Sequence, residues 1–150
     1  MNLSSTIAVS NRQRVRKINL PLLKKITAAA LEELKIEGVE LGIILIGARE
    51  MALLHEEFLG HKGPTDVITF DYKNSERRIH GEIVVCVEEA GRQSREFGTS
   101  RQSEIVRYIV HGILHLLGHD DLKPAARKRM KQAEGRILGK LSRRFALSKL

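Results

Sequence analysis

Two histidines four residues apart, His111 and His115, open the segment His111-Gly-Ile-Leu-His115-Leu-Leu-Gly118-His119-Asp120, which Asp121 follows. On an α-helix, side chains at i and i+4 lie on one face a single turn apart, so both imidazoles can reach one ion. Gly118 lacks a Cβ and can take the left-handed conformation that ends a helix and turns the chain back. That turn swings His119, Asp120 and Asp121 toward the same point. A helix-borne pair, a glycine exit and a returning third ligand make an open metal site of the metzincin-like layout. The chemistry it points to is metal-dependent hydrolysis.

The flanks Ile105-Val106-Arg107-Tyr108-Ile109-Val110 and Ile113-Leu114 are apolar, which places the helix in the core. Two unpaired imidazoles buried there would cost free energy, and a shared cation offsets that cost. Zinc proteases of the His-Glu-x-x-His type carry their general base directly after the first histidine. Here that position is Gly112, so the base for peptide hydrolysis is missing. A phosphodiester is the alternative substrate, because a metal can activate water and polarise a phosphoryl oxygen while basic groups stabilise developing charge. Asp120, Glu82 and His61 are candidates for moving the proton. Asp120 has the rival role of orienting a ligand histidine from behind, Glu82 that of pairing with a basic residue, and His61 that of a loop side chain. None is assigned as catalytic.

The elements that must position these groups alternate between strand and helix patterns. A short strand is expected around Thr6–Val9, followed by a basic connector with Arg12, Arg14, Arg16 and Lys17. Pro21 suits the first turn of a helix, with Leu22, Leu23, Ile26, Ala29, Ala30 and Leu34 as its apolar stripe and Gly38 marking its end. Val39–Ile46 reads as a strand. Ala48–Leu59 reads as a helix with Met51, Leu54, His55 and Phe58 on one side. A loop at Gly60–Pro64, a strand at Val67–Phe70, a polar turn at Asn74–Arg78 and a strand at Ile79–Val87 follow. Helices are expected over Glu88–Phe97, over Arg101–Leu117 with Ser100 as a possible cap, and over Pro124–Leu141. The result is one α+β domain spanning 1–150, a small mixed sheet covered by helices with the histidine helix at its centre.

Composition narrows the class. At 150 residues the chain is long enough for a genuine core. One cysteine, Cys86, excludes an internal disulfide and suits a reducing cytoplasm; its run Ile83-Val-Val-Cys86-Val87 marks it as a core side chain. No stretch has the 18 or so apolar residues of a membrane span, and the N-terminal residues lack the layout of a signal peptide. A cytoplasmic protein with no membrane partner is expected. The net charge of +8 is uneven, because residues 121–150 hold ten basic and two acidic side chains and so account for all of it. Arg127, Lys128, Arg129 and Lys131 cluster, and Arg143-Arg144 follow. A cationic stretch over 123–150 on a neutral remainder fits a polyanion contact, since each phosphate neutralised releases counterions. A solvated helical face with a basic tail is the plain alternative.

The histidine segment resembles the signature of the YbeY family of bacterial endoribonucleases, His-Gly-x-Leu-His-Leu-x-Gly followed by an aromatic or polar residue, Asp and His. Gly60-His-Lys-Gly-Pro64-Thr65-Asp66-Val67-Ile68-Thr69-Phe70 resembles that family's Pro-Thr-Asp-Val-Leu-Ser-Phe stretch, and Gly81-Glu82-Ile83-Val84-Val85 its Gly-Asp-Ile-Val strand. Order and spacing match across roughly residues 37–135. The resemblance implies a single-strand-specific endoribonuclease acting on ribosomal RNA, in maturation of the 16S rRNA 3′ end and in ribosome quality control, with the ribosome or its small subunit as partner. It also implies one divalent ion, zinc by expectation, held by His111, His115 and a third ligand. Where the family has a third histidine, this chain has Asp121, whose carboxylate binds zinc at nearly the same length. His119 is the rival, but Gly118 argues against the helix continuing to it. Leu59 stands where the family commonly has an arginine, a role left vacant or passed to Lys62. These departures keep a second reading open, that of a ribosome-associated assembly factor whose metal is structural.

Overall fold

In a computed structural model, residues 5–60, 65–72 and 77–150 are described, apart from the side chain of Leu59. His61, Lys62 and most of the expected loop and polar turn therefore lie outside the described residues. Four strands form one sheet: β1 (Ser5–Asn11), β2 (Gly38–Ile46), β3 (Val67–Asp71) and β4 (Arg78–Cys86), in the order β1-β2-β4-β3. The first three in that order run parallel, and β3 is antiparallel at the edge, with Val67 opposite Val85 and Asp71 opposite Gly81. This is the α+β class with a mixed sheet.

Alternation along the strands explains the layers, since successive strand side chains point to opposite faces. Val39, Leu41, Ile43 and Leu45 of β2, with Ile79, Ile83 and Val85 of β4, join a core with α1 (Leu20–Glu33) and α4 (Arg101–Leu116). The opposite face presents Ile46, Val84, Cys86 and Ile68, which α2 (Ala48–Leu59) covers through Met51 and Leu54. Cys86 is fully buried there. The α3 helix (Val87–Phe97) leads into α4, and α5 (Pro124–Arg144) forms an outer layer against α1 and α4, burying Met130, Glu134, Ile137 and Leu141.

Several boundaries differ from the sequence reading for identifiable reasons. The first helix stops at Leu34 because Lys35, not Gly38, takes the left-handed conformation at φ +57°; Gly38 instead begins β2. Val87 belongs to α3, not to β4. The α5 helix runs past Leu141 to Arg144, where Arg144 and Lys140 pair with Glu32 and Glu33 of α1. Phe58 is exposed, meeting only the edge of Phe70 at 5.4 Å between ring centres, and so does not complete the apolar stripe of α2. No helix among the described residues is long and apolar enough to cross a membrane.

Two glycines let α4 lie close on β4. A Cβ at Gly112 would come within 2.9 Å of the Ile83 side chain, and one at Gly81 within 2.4 Å of the Phe70 carbonyl and 3.1 Å of Leu116. Gly112→Ala should therefore overpack this contact and destabilise the fold by about 1–3 kcal/mol. The check is urea denaturation, with a lower midpoint at unchanged slope.

Candidate metal centre

Helix α4 starts on a reciprocal cap: Ser100 Oγ accepts from the Ser103 N–H at 3.0 Å and Ser103 Oγ accepts from the Ser100 N–H at 3.3 Å. It ends at Gly118, whose φ of +96° allows the chain to reverse. The His119 N–H then donates to the Leu114 carbonyl at 3.0 Å and the Gly118 N–H to the His115 carbonyl at 2.9 Å, the paired bonds of a Schellman turn. The same turn delivers the His119 carbonyl to His115 Nδ1 at 3.2 Å. Asp120 Oδ1 accepts from the Leu122 N–H at 2.7 Å, holding the next bend. Asp121 follows, and its carbonyl receives the Arg127 Nε–H at 3.1 Å.

These bonds bring Asp121 Oδ2 to 3.7 Å from His111 Nε2 and 3.5 Å from His115 Nε2, while the two Nε2 atoms are 3.1 Å apart. A triangle with those sides has its centre about 2.0 Å from every corner, close to zinc–nitrogen and zinc–oxygen lengths of about 2.0–2.2 Å. His111, His115 and Asp121 are thus a group that could hold a metal ion. His119 enters through its main chain, and its ring is not part of that group.

The sequence reading placed the histidine helix in the core and let a shared cation offset the cost of burying its two imidazoles. Instead they are 27% and 29% exposed, and each Nδ1 has an oxygen partner. His111 Nδ1 lies 2.9 Å from Glu134 Oε2 of α5. With both Nδ1–H groups given to oxygens, both Nε2 lone pairs point inward at each other and at a carboxylate. Three acceptors facing one point need a cation, either a proton or a metal ion. Burial opposes charge on the His111 ring, but the hydrogen bond and charge of Glu134, aided by Asp66 and Asp121, outweigh it and raise its pKa.

Glu134 is the residue that sequence reasoning missed. It is 7% exposed and receives both His111 and Arg107 Nη1, the latter at 2.9 Å. Burial pushes its pKa up, yet these two partners prevail and hold it below the usual carboxylate range. The available signal was its isolation: it and Asp121 are the two acids among ten bases in 121–150. The orienting role considered for Asp120 belongs to Glu134, because Asp120 is occupied by its own turn. Glu82 accepts from the Tyr72 hydroxyl and lies on the sheet face away from α4, one residue out of step with Gly81 and Ile83. It does not border the histidine cleft.

That cleft, of about 620 Å³, is bordered by His111, Asp121, Glu134 and Tyr108, and by Arg127 and Lys131. A second hollow of about 450 Å³ shares Arg127 and Lys131 and adds Lys128. Arg129 borders neither, and Lys140 and Arg144 are engaged with α1. The basic cluster is therefore divided between the cleft and the scaffold.

An α+β scaffold presenting two helix-borne imidazoles and a returning carboxylate in an open cleft has the donor set of a metal-dependent hydrolase. Residues 7–142 match the family described as Endoribonuclease YbeY. A protein named Endoribonuclease YbeY from Chlorobium phaeovibrioides is 38% identical over 133 residues, covering 89% of this chain and 88% of its own length. Its namesake from Aquifex aeolicus is 34% identical over 148 residues, covering 94% and 99%. The solution structure of TM1509 from Thermotoga maritima superposes with a TM-score of 0.66 at 25% identity, covering 91% of this chain and 89% of that one. The chain belongs to the YbeY endoribonuclease family.

Because Glu134 holds the outer nitrogen of His111, Glu134→Gln should lower affinity for a divalent transition metal about 10- to 100-fold. Competition titration with a chromogenic chelator measures this. Retention of wild-type affinity would reduce Glu134 to an anchor for Arg107.

Proposed function

We propose that this chain, as one domain over residues 1–150, is a single-strand-specific endoribonuclease. It holds one divalent ion, zinc, through His111, His115 and Asp121, and works in the cytoplasm on 16S rRNA 3′-end maturation and ribosome quality control at the small subunit. The observation that supports this best is the convergence of three electron-pair donors beside a basic cleft in a chain of the YbeY family. When bound, the ion supplies Lewis acidity, activating water near neutral pH and polarising a phosphoryl oxygen. The chain's own residues do the remainder. His111 and His115 keep Nε2 available because Glu134 and the His119 carbonyl hold the Nδ1 protons. Arg127 and Lys131 attract the phosphodiester into the cleft, and Arg107, tied to Glu104 and Glu134, fixes the wall behind it. No side chain is assigned as general acid or base.

The assembly-factor reading draws support from Leu59 and Asp121, where the chain departs from the family pattern. Against it stands the openness of the triad, whose side chains are 27%, 29% and 40% exposed, since a structural zinc is closed off by four protein ligands. Elemental analysis decides the ligands: Asp121→Ala should lose more metal than His119→Ala, and the reverse would move the third ligand to His119.

Activity decides between nuclease and assembly factor. Wild type should cut single-stranded RNA slowly and spare a duplex, and His115→Ala should bind RNA but not cut it. Equal digestion by both would expose contamination, and binding without cutting by both would favour the assembly factor. For the surface, replacing Arg127, Lys128 and Lys131 by glutamine should reduce the log–log salt slope of binding by about 0.7 for each phosphate no longer neutralised. Arg129→Gln should leave it unchanged.

A further inference from the structure

The cleft has two unlike walls. Arg127 and Lys131 of α5 give one side its cations, while the end of α3 and the turn beyond it contribute Gln93, Phe97 and Thr99, none of them charged. Phe97 is 65% exposed, and of the large exposed hydrophobic side chains among the described residues it alone borders this cleft. Between the walls lies Tyr108, 2% exposed, with a buried hydroxyl that has no hydrogen-bond partner among the described residues. Arg107 is spent on Glu104 and Glu134, which leaves the phosphate-facing role to Arg127 and Lys131.

A nucleotide in a single strand has the same division, an anionic phosphate on one side and a flat base with apolar faces on the other. A cleft of about 620 Å³ has room for a group of that size. Unstacked bases are recognised by stacking on aromatic side chains, whatever their sequence. We propose that Phe97 is a base-stacking platform: a nucleobase next to the phosphate held at the triad lies on its ring, while Arg127 and Lys131 take the backbone. This rests on the nuclease reading above and gives single-strand selectivity a physical cause. A base inside a duplex is already covered on both faces by its neighbours and cannot reach the ring.

The test uses the metal-loaded full chain and a labelled single-stranded RNA of mixed sequence, read by fluorescence anisotropy, beside a series in which one position at a time is abasic. Loss of one base–aromatic stack corresponds to a fall in affinity of about five- to a hundredfold. Phe97→Ala should show a loss of that order with an unchanged salt slope, and Phe97→Tyr should restore binding. At one abasic position wild type should bind as weakly as Phe97→Ala binds intact RNA, and there Phe97→Ala should weaken binding no further. Undiminished binding by Phe97→Ala overturns the platform, as does a loss that is the same for every abasic RNA and the intact one. A wild type that neither binds nor cuts RNA sinks the nuclease reading instead, a result distinct from failure of the Phe97 variant alone.

Discussion

The site depends on how closely α4 approaches the sheet. Gly112 meets the side chain of Ile83, and Leu116 meets Gly81, so helix and strand exchange a missing side chain at two levels one turn apart. His111 and His115 have the same spacing and precede these contacts by one position each. A step of one residue turns a helical side chain by about 100°, which carries both imidazoles off the sheet and onto the rim where α5 and the Gly118 turn converge. Packing on one face of the helix therefore sets the position of the imidazole pair on the next. The strand–helix contact also explains why the first histidine is followed by glycine, at the position where a protease would keep its acid. A glutamate side chain there would have to enter the space filled by Ile83.

The second constraint is electrostatic. Glu134 carries a nearly buried carboxylate into the seam between α4 and α5, an arrangement that is costly unless the charge is paired and hydrogen-bonded. Arg107 and His111 meet that requirement from α4. The α5 helix thus does more than display lysines and arginines. Its buried stripe of Met130, Glu134, Ile137 and Leu141 docks it, and the one acid in that stripe holds Nδ1 of His111.

Local sequence signals were legible because their physics is local. The helix spacing of His111 and His115, the turn at Gly118 and the Ser100 cap depend on residues within a few positions, and each is present. The helix of Ala48–Leu59 and the strand pattern of β2 were equally readable from their periodicity. What failed were long-range pairings. Glu134 lies 23 residues from His111, and nothing in either neighbourhood announces the other. The expected burial of the imidazoles gave way for the same reason, since exposure at a helix rim is set by what packs beside it. Glu82 looked available only until the pleat placed it across the sheet from α4. Lys35 shows the converse: the helix end was assigned to Gly38 because glycine tolerates positive φ, whereas a turn three residues earlier ends it, with the Ile36 N–H on the Leu31 carbonyl and the Lys35 N–H on that of Glu32.

Asp121 brings a negative charge to the cleft beside the two imidazoles. Asp66, Glu104, Asp121 and Glu134 border it, against Arg107, Arg127 and Lys131. Among the described residues these are four carboxylates and three cations, and the proton or metal ion that the triad requires offsets the difference. A dication in the place of that proton would leave the cleft positive. The negative charge of Asp121 would lower the Lewis acidity of an ion held there. In this chain the electrostatic attraction that remains must come chiefly from α5, where Arg127 and Lys131 sit at the mouth shared by the two hollows.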